Sequence, residues 1–154
     1  QITSNWLQKR QRSISQGRWA RHWLLVISYW LQIVGKMRNF RTLDIWVDSM
    51  NLAEKVYLLA EKLPGSERFN LYSQITRCAV SIPSNIAEGC SRKSQLDFAR
   101  FLEISLGSSF ELETQLLLIF RLKLLTGEFD IDSLFKSLST LQRRINSLIT
   151  KIKG

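Results

Sequence analysis

IDSLFKSLSTLQRRINSLITKI, residues 131–152, sets Ile131, Leu134, Leu138, Leu141, Ile145, Leu148 and Ile152 at alternating steps of three and four. That spacing brings every one of them to the same side of an α-helix, whereas a strand would scatter them over both faces. A seam this regular packs best against other helices. Asp130 stands where a helix cap is needed, and Asp132 follows at the positive end of the helix dipole. This segment predicts an all-α protein.

Working back along the chain, three more helices are expected. Ser94 is a good cap for a long helix reaching about Leu125, with Leu96, Phe98, Phe101, Leu102, Ile104, Leu112, Leu116, Ile119 and Phe120 as its apolar face. Gly107-Ser108-Ser109 interrupts that face, which allows a neighbour to come close or the helix to bend gently. From Asn70 to Glu88, Leu71, Ile75, Cys78, Ile82 and Ile86 fall on one side, while Arg77, Ser81, Ser84 and Glu88 fall on the other. Here Asn70 is the expected cap, Gly89 the expected stop, and Pro83 predicts a kink because it lacks an N–H. From Leu43 to Leu63, the stripe is Leu43, Trp46, Val47, Met50, Ala53, Tyr57 and Ala60, ended by Pro64-Gly65. With only two prolines and seven glycines in 154 residues, the chain lacks the punctuation of an all-β domain. Short loops between four such helices predict an antiparallel up-down-up-down four-helix bundle over residues 37–154.

Residues 1–36 differ in kind. They hold Trp6, Trp19, Trp23 and Trp30, six basic residues and no acid. The apolar run from Trp23 to Val34 is shorter than the roughly 20 residues that span a bilayer, and no small-x-small cleavage site follows it. Three readings compete: a basic aromatic arm for nucleic acid or a membrane surface, an extra helix docked on the bundle, or upstream sequence translated in frame before Met37. The composition break at Met37 favours the third.

The net charge of +9 is therefore misleading as a whole-chain figure, since the leader carries +6 of it. Within the bundle the charge is unevenly placed. Up-down topology gathers Arg38, Arg41, Arg92, Lys93, Arg100, Arg143, Arg144, Lys151 and Lys153 at one pole, against Asp44, Asp48, Glu88 and Asp97. The opposite pole sets Lys62, Arg68, Arg121 and Lys123 against more acids than that. A basic pole is the usual footprint of polyanion binding. Phe40 is the one aromatic platform evident there, so base readout is not expected.

Other chemistries lack their residues. A zinc site needs four ligands, and Cys78, Cys90 and His22 are the only thiols and imidazole. A di-metal carboxylate bundle needs Glu-x-x-His pairs, and neither a P-loop nor a dinucleotide glycine signature occurs. No catalytic residue, metal or other cofactor is expected. Two cysteines make no disulfide framework, which places the protein in the cytoplasm, with Cys78 as a small core residue.

QITRCAVSIPSNIAEGCSRKSQLDFARFLEISLGSSFELETQL, residues 74–116, resembles the four-helix-bundle proteins encoded in intervening sequences of 23S ribosomal RNA genes. The resemblance rests on Arg77, on Ser81-Ile82-Pro83-Ser84-Asn85-Ile86-Ala87-Glu88-Gly89, on Ser94, Phe98, Arg100, Phe101 and Leu102, and on Gly107-Ser108 with Glu111-Leu112-Glu113-Thr114-Gln115-Leu116. Phe40-Arg41-x-Leu43-x-x-Trp46 also looks like the start of that family. The resemblance implies a ring-like homo-oligomer, a pentamer, with an association with nucleic acid and no enzyme activity. Accessory subunits of diversity-generating retroelements are similar in architecture and work beside a reverse transcriptase. On physical grounds, Arg77 and Glu88 frame a stripe of small polar residues, with Ser81, Pro83, Ser84 and Asn85, that suits a tight helix–helix or subunit contact.

The leading expectation is an oligomer that binds RNA or single-stranded nucleic acid through Arg38, Arg41, Arg92, Lys93, Arg100, Arg143 and Arg144. The alternative is a protein-interaction scaffold docking on a polymerase or reverse transcriptase.

Overall fold

Steps of three and four become four helices in the computed structural model, which describes residues 38–67 and 69–154. They are α1 (Asp44–Ala60), α2 (Leu71–Cys90), α3 (Gln95–Arg121) and α4 (Ile131–Lys153), with short 3-10 turns at Phe40–Thr42 and Gly65–Glu67. No strand occurs among the described residues, and the architecture is that of a four-helix bundle. The readings placed on residues 1–36 lie outside the described residues.

The caps explain where the helices begin and end. Ser94 accepts a hydrogen bond from the Asp97 N–H and Asp130 from that of Ser133, as their positions predict. Asn70 makes no side-chain cap bond. The third helix is shorter than expected because its C-terminus closes at Lys123, which adopts a left-handed φ of 54°. The Lys123 N–H donates to Phe120 O and the Leu124 N–H to Ile119 O. This is the Schellman closure, formed here on a lysine where glycine usually sits. Thr126 then donates through both its N–H (2.9 Å) and its hydroxyl (2.8 Å) to Lys62 O, tying the α3–α4 connection to the end of α1.

The core is a continuous cluster from all four helices, including Leu52, Val56, Leu59, Ile75, Ile82, Ile86, Leu102, Leu112, Leu116, Leu134, Leu138 and Leu141. Each such side chain contributes about 1.5–3 kcal/mol by leaving water. On α4 the seam holds from Leu134 to Ile145. It then passes to Ile149, leaving Leu148 and Ile152 half-buried. A straight helix drifts by about 20° per heptad, which accounts for the shift.

The face expected for the first helix needs correction. α1 buries Ile45, Ser49, Leu52, Val56 and Leu59, while Val47, Met50 and Tyr57 are exposed. Both sets recur at three and four, so spacing alone could not choose between them. Only Ala53 and Ala60 of the expected stripe are fully buried. On α3, Leu96 and Ile104 likewise face outward.

The largest interface joins α2 to α3, and small residues make it. Ser105 and Ser109 are fully buried. Ser105 Oγ donates to Ile82 O at 3.1 Å, the carbonyl just before Pro83. Ser81 and Ser108 hydroxyls meet at 2.9 Å. Gly89 does not stop α2, which runs one residue further to Cys90. It is buried against α3 instead: a Cβ there would lie 2.8 Å from Phe101 Cβ and 2.9 Å from Phe98 Cδ2. Gly107, by contrast, has nothing within 4 Å, so the close approach comes from the serines around it. α2 continues as one helix through Pro83.

Candidate nucleic-acid interface

Cations near the α2–α3 turn are held by aromatic rings and backbone. Arg38 lies over the Phe98 ring at 4.5 Å from its centroid, and its Nη1 donates to Arg92 O at 3.1 Å. Arg92 in turn lies over Phe101 at 4.5 Å and pairs with Glu88 one turn back on α2. Arg41 lies over Phe40 at 4.5 Å, and Phe40 packs edge-on against Trp46. Each ring is within the 6 Å or so over which a guanidinium is attracted to a π face. Lys93 and Arg100 are exposed and form no ion pair among the described residues.

The cations of α4 are placed differently. Arg144 pairs with Asp48 on α1, and Lys153 with Glu103 on α3. Arg143 donates to the Thr140 hydroxyl at 3.2 Å. Arg143, Arg144 and Lys151 border a shallow depression with Leu43, Asp44, Ile45 and Leu148. So the structure joins Arg38 directly to Arg92, and it sets Arg143 and Arg144 beside the start of α1. Of the rings beneath the arginines, Phe40 was evident in the sequence, whereas Phe98 and Phe101 were not foreseen. Phe98 and Phe101 look like ordinary core positions of α3, and only Phe98 is fully buried.

The stripe on α2 divides in two. Ser81 and Asn85 turn toward α3: Asn85 Nδ2 donates to Ser81 O (2.8 Å) and Ser81 Oγ (3.0 Å), and Ser81 continues to Ser108. Glu88 is engaged by Arg92, not Arg77. Ser84 and buried Pro83 instead border an apolar groove of about 760 Å³ with Phe40, Trp46, Met50, Tyr57, Leu58, Val80 and Ala87. Arg77 borders a more polar recess on the α3 side with Ser81, Ser108, Glu111 and Cys78.

Burial pushes the Cys78 thiol up to about 11, with Glu111 nearby adding to the effect. Burial also raises Cys90, opposed by the Arg38 charge. Both are free thiols held protonated at neutral pH, the opposite of an activated nucleophile. Among the described residues, no group of three or more His, Cys, Asp or Glu side chains could hold a metal. No helix there is long and apolar enough to cross a membrane.

The family model for 23S rRNA-intervening sequence protein matches residues 41–147. The chain belongs to that family. A solved structure from Bacteroides thetaiotaomicron, described as a protein with unknown function from the S23 ribosomal protein family, is 28% identical with a TM-score of 0.55. The match covers 71% of this chain and 96% of that one. No curated protein matches the chain. The segment the family model covers includes α1, α2, α3 and most of α4, so the α2–α3 seam and both sets of cations fall largely within it.

Proposed function

We propose that this family member is a non-catalytic, cytoplasmic homo-oligomer that binds RNA or single-stranded nucleic acid through the basic end of an antiparallel up-down-up-down bundle. The contact of Arg38 with Arg92 carries the reading, because it brings the cations preceding α1 onto those of the α2–α3 turn. Pairings of Ser81 with Ser108, Lys55 with Ser133 and Ser137, and Lys153 with Glu103 support the up-down order. That order adds Arg143 and Arg144 to the same end. Arg38, Arg41, Arg92, Lys93, Arg100, Arg143 and Arg144 then supply phosphate contacts of low sequence selectivity.

Self-association draws support from two exposed apolar surfaces. One is the groove of Trp46, Met50, Tyr57 and Val80; the other is an outer stripe of α3 with Ile104, Phe110, Leu117 and Leu118. Two different apolar patches, each able to cover the other on a neighbouring copy, suit a head-to-tail contact, which makes a ring when its rotation closes. A ring-like pentamer is the form proposed, as the resemblance to retroelement accessory subunits implies.

Titrating RNA binding against salt tests the nucleic-acid reading. The logarithm of affinity falls linearly with the logarithm of salt, by about 0.7 per neutralised phosphate for a single strand. Reversing Arg92, Lys93, Arg143 and Arg144 to Glu abolishes most of the affinity. Binding absent at low salt, or indifferent to the reversal, rejects the reading. A reverse transcriptase retained at high salt in the absence of RNA would make the protein an accessory scaffold instead.

A further inference from the structure

Three guanidinium groups at this end lie over aromatic rings, each with its Cζ 4.5 Å from the ring centroid. Gly89 has no side chain, so Phe98 and Phe101 close over it to within 2.9 Å of where a Cβ would stand. Arg38 covers the first ring and Arg92 the second. Arg38 also donates to the Arg92 carbonyl, so the two stacks adjoin. Arg41 on Phe40 forms a third, at the turn leading into α1. Glu88 answers Arg92 alone, and Asp97 is spent in the first turn of α3, at the positive end of its dipole.

A guanidinium engaged by a ring on one side can receive a second planar group on the other. The Arg92 side chain remains 41% exposed even with its ion pair in place. A planar, weakly hydrated cation is a surface on which an unpaired base stacks, as it does on an aromatic side chain. Lys93 follows Arg92 and Arg100 precedes Phe101 in the chain, both exposed and without an ion pair among the described residues. They are placed for the phosphates of the same strand.

We infer that Arg38, Arg41 and Arg92, set on Phe98, Phe40 and Phe101, form a stacking platform for the bases of unpaired nucleic acid. This rests on the nucleic-acid reading above and goes past it, since charge alone would contact phosphates and ignore bases. It also distinguishes the α2–α3 turn from the α4 arginines, which have no ring beneath them among the described residues.

The test compares two ligands of equal charge on the full 154-residue chain: an oligoadenylate of about twelve nucleotides and its abasic counterpart. The native protein binds the oligoadenylate about tenfold or more tighter, as stacking of one or two bases requires. Replacing Arg38, Arg41 and Arg92 together by Lys keeps the charge and removes the planes. That variant loses the preference between the two strands. Replacing Arg143 and Arg144 by Lys leaves the preference intact. The single Arg92→Lys change, with an unaltered helical spectrum and melting curve, narrows the preference on its own. Equal affinity of the native protein for both ligands overturns the platform and leaves the phosphate reading standing. A preference that survives the triple Lys variant overturns it as well. Failure to bind either strand removes both.

Discussion

The α2–α3 seam and the groove between α1 and α2 reverse the usual relation of polarity to burial. In the seam, Ser105 and Ser109 are sealed from water, and Ser81 bonds to Ser108 across it. In the groove, Met50, Tyr57 and Val80 are exposed, with Trp46 and Phe40 half-buried beside them. Serines go inside because the two helices approach too closely for larger side chains, and each hydroxyl finds an oxygen to bond. The large apolar groups outside have no cover among the described residues. One region is finished within the chain, and the other is the surface proposed above to receive a second copy.

If that distinction holds, the seam resists change and the groove tolerates it. The largest effect is expected at Gly89, where a methyl group meets the Phe101 Cβ, an atom anchored to the α3 backbone. Gly89→Ala should cost about 1–3 kcal/mol, the usual range for overpacking a filled site, measured as a shift of the urea midpoint at constant slope. A stability within error of the native protein would mean the seam is looser than described. Ser105→Ala comes next. It leaves the Ile82 carbonyl without its side-chain donor and should cost about 1 kcal/mol by the same measurement.

Tyr57→Glu and Val80→Glu probe the other side of the comparison. Both positions are exposed in the single chain, so folding stability should change by no more than about 0.5 kcal/mol. The mass in solution should fall to that of a monomer by light scattering. An unchanged mass would show that the groove is not where copies meet.

An effect absent at neutral pH, and confined to alkaline solution, concerns Cys78, which borders the polar recess. Its folded pKa is raised to about 11 from 9.0. The unfolded thiol therefore ionises first as pH rises, while the folded one keeps its proton. Its contribution is complete below pH 9 and is lost between 9 and 11. Stability should thus fall more steeply across that window in the native protein than in Cys78→Ala. Parallel curves would place the thiol in a wetter setting.

The sequence disclosed the regular parts of this architecture and concealed those that depend on contact between helices. The α4 seam, the Ser94 and Asp130 caps and the core of α2 follow from spacing and local hydrogen bonding. The buried face of α1 did not, because Ile45-Ser49-Leu52-Val56-Leu59 and Trp46-Met50-Ala53-Tyr57 have the same period. Only packing against α2 and α4 decides between them. Gly89 reads as a helix stop from local rules, and its actual role is set by Phe98 and Phe101 on another helix. The C-terminus of α3 escaped notice because Lys123 carries a turn that usually announces itself as glycine. Among the candidate site residues, charge was visible in the sequence, but neutralisation was not. Asp48 lies far from Arg144 in the chain yet pairs with it between α1 and α4, both side chains staying partly exposed. The rings that hold Arg38 and Arg92 were hidden for the same reason.

Photocrosslinking of a thiouridine-containing single-stranded RNA to the full chain, with the attached peptides identified by mass spectrometry, addresses the functional claim most directly. Crosslinks should concentrate in residues 38–41 and 91–101, with fewer along the end of α4. Crosslinks concentrated at the α3–α4 connection, or none at low salt, would contradict an RNA-binding role for this end of the molecule.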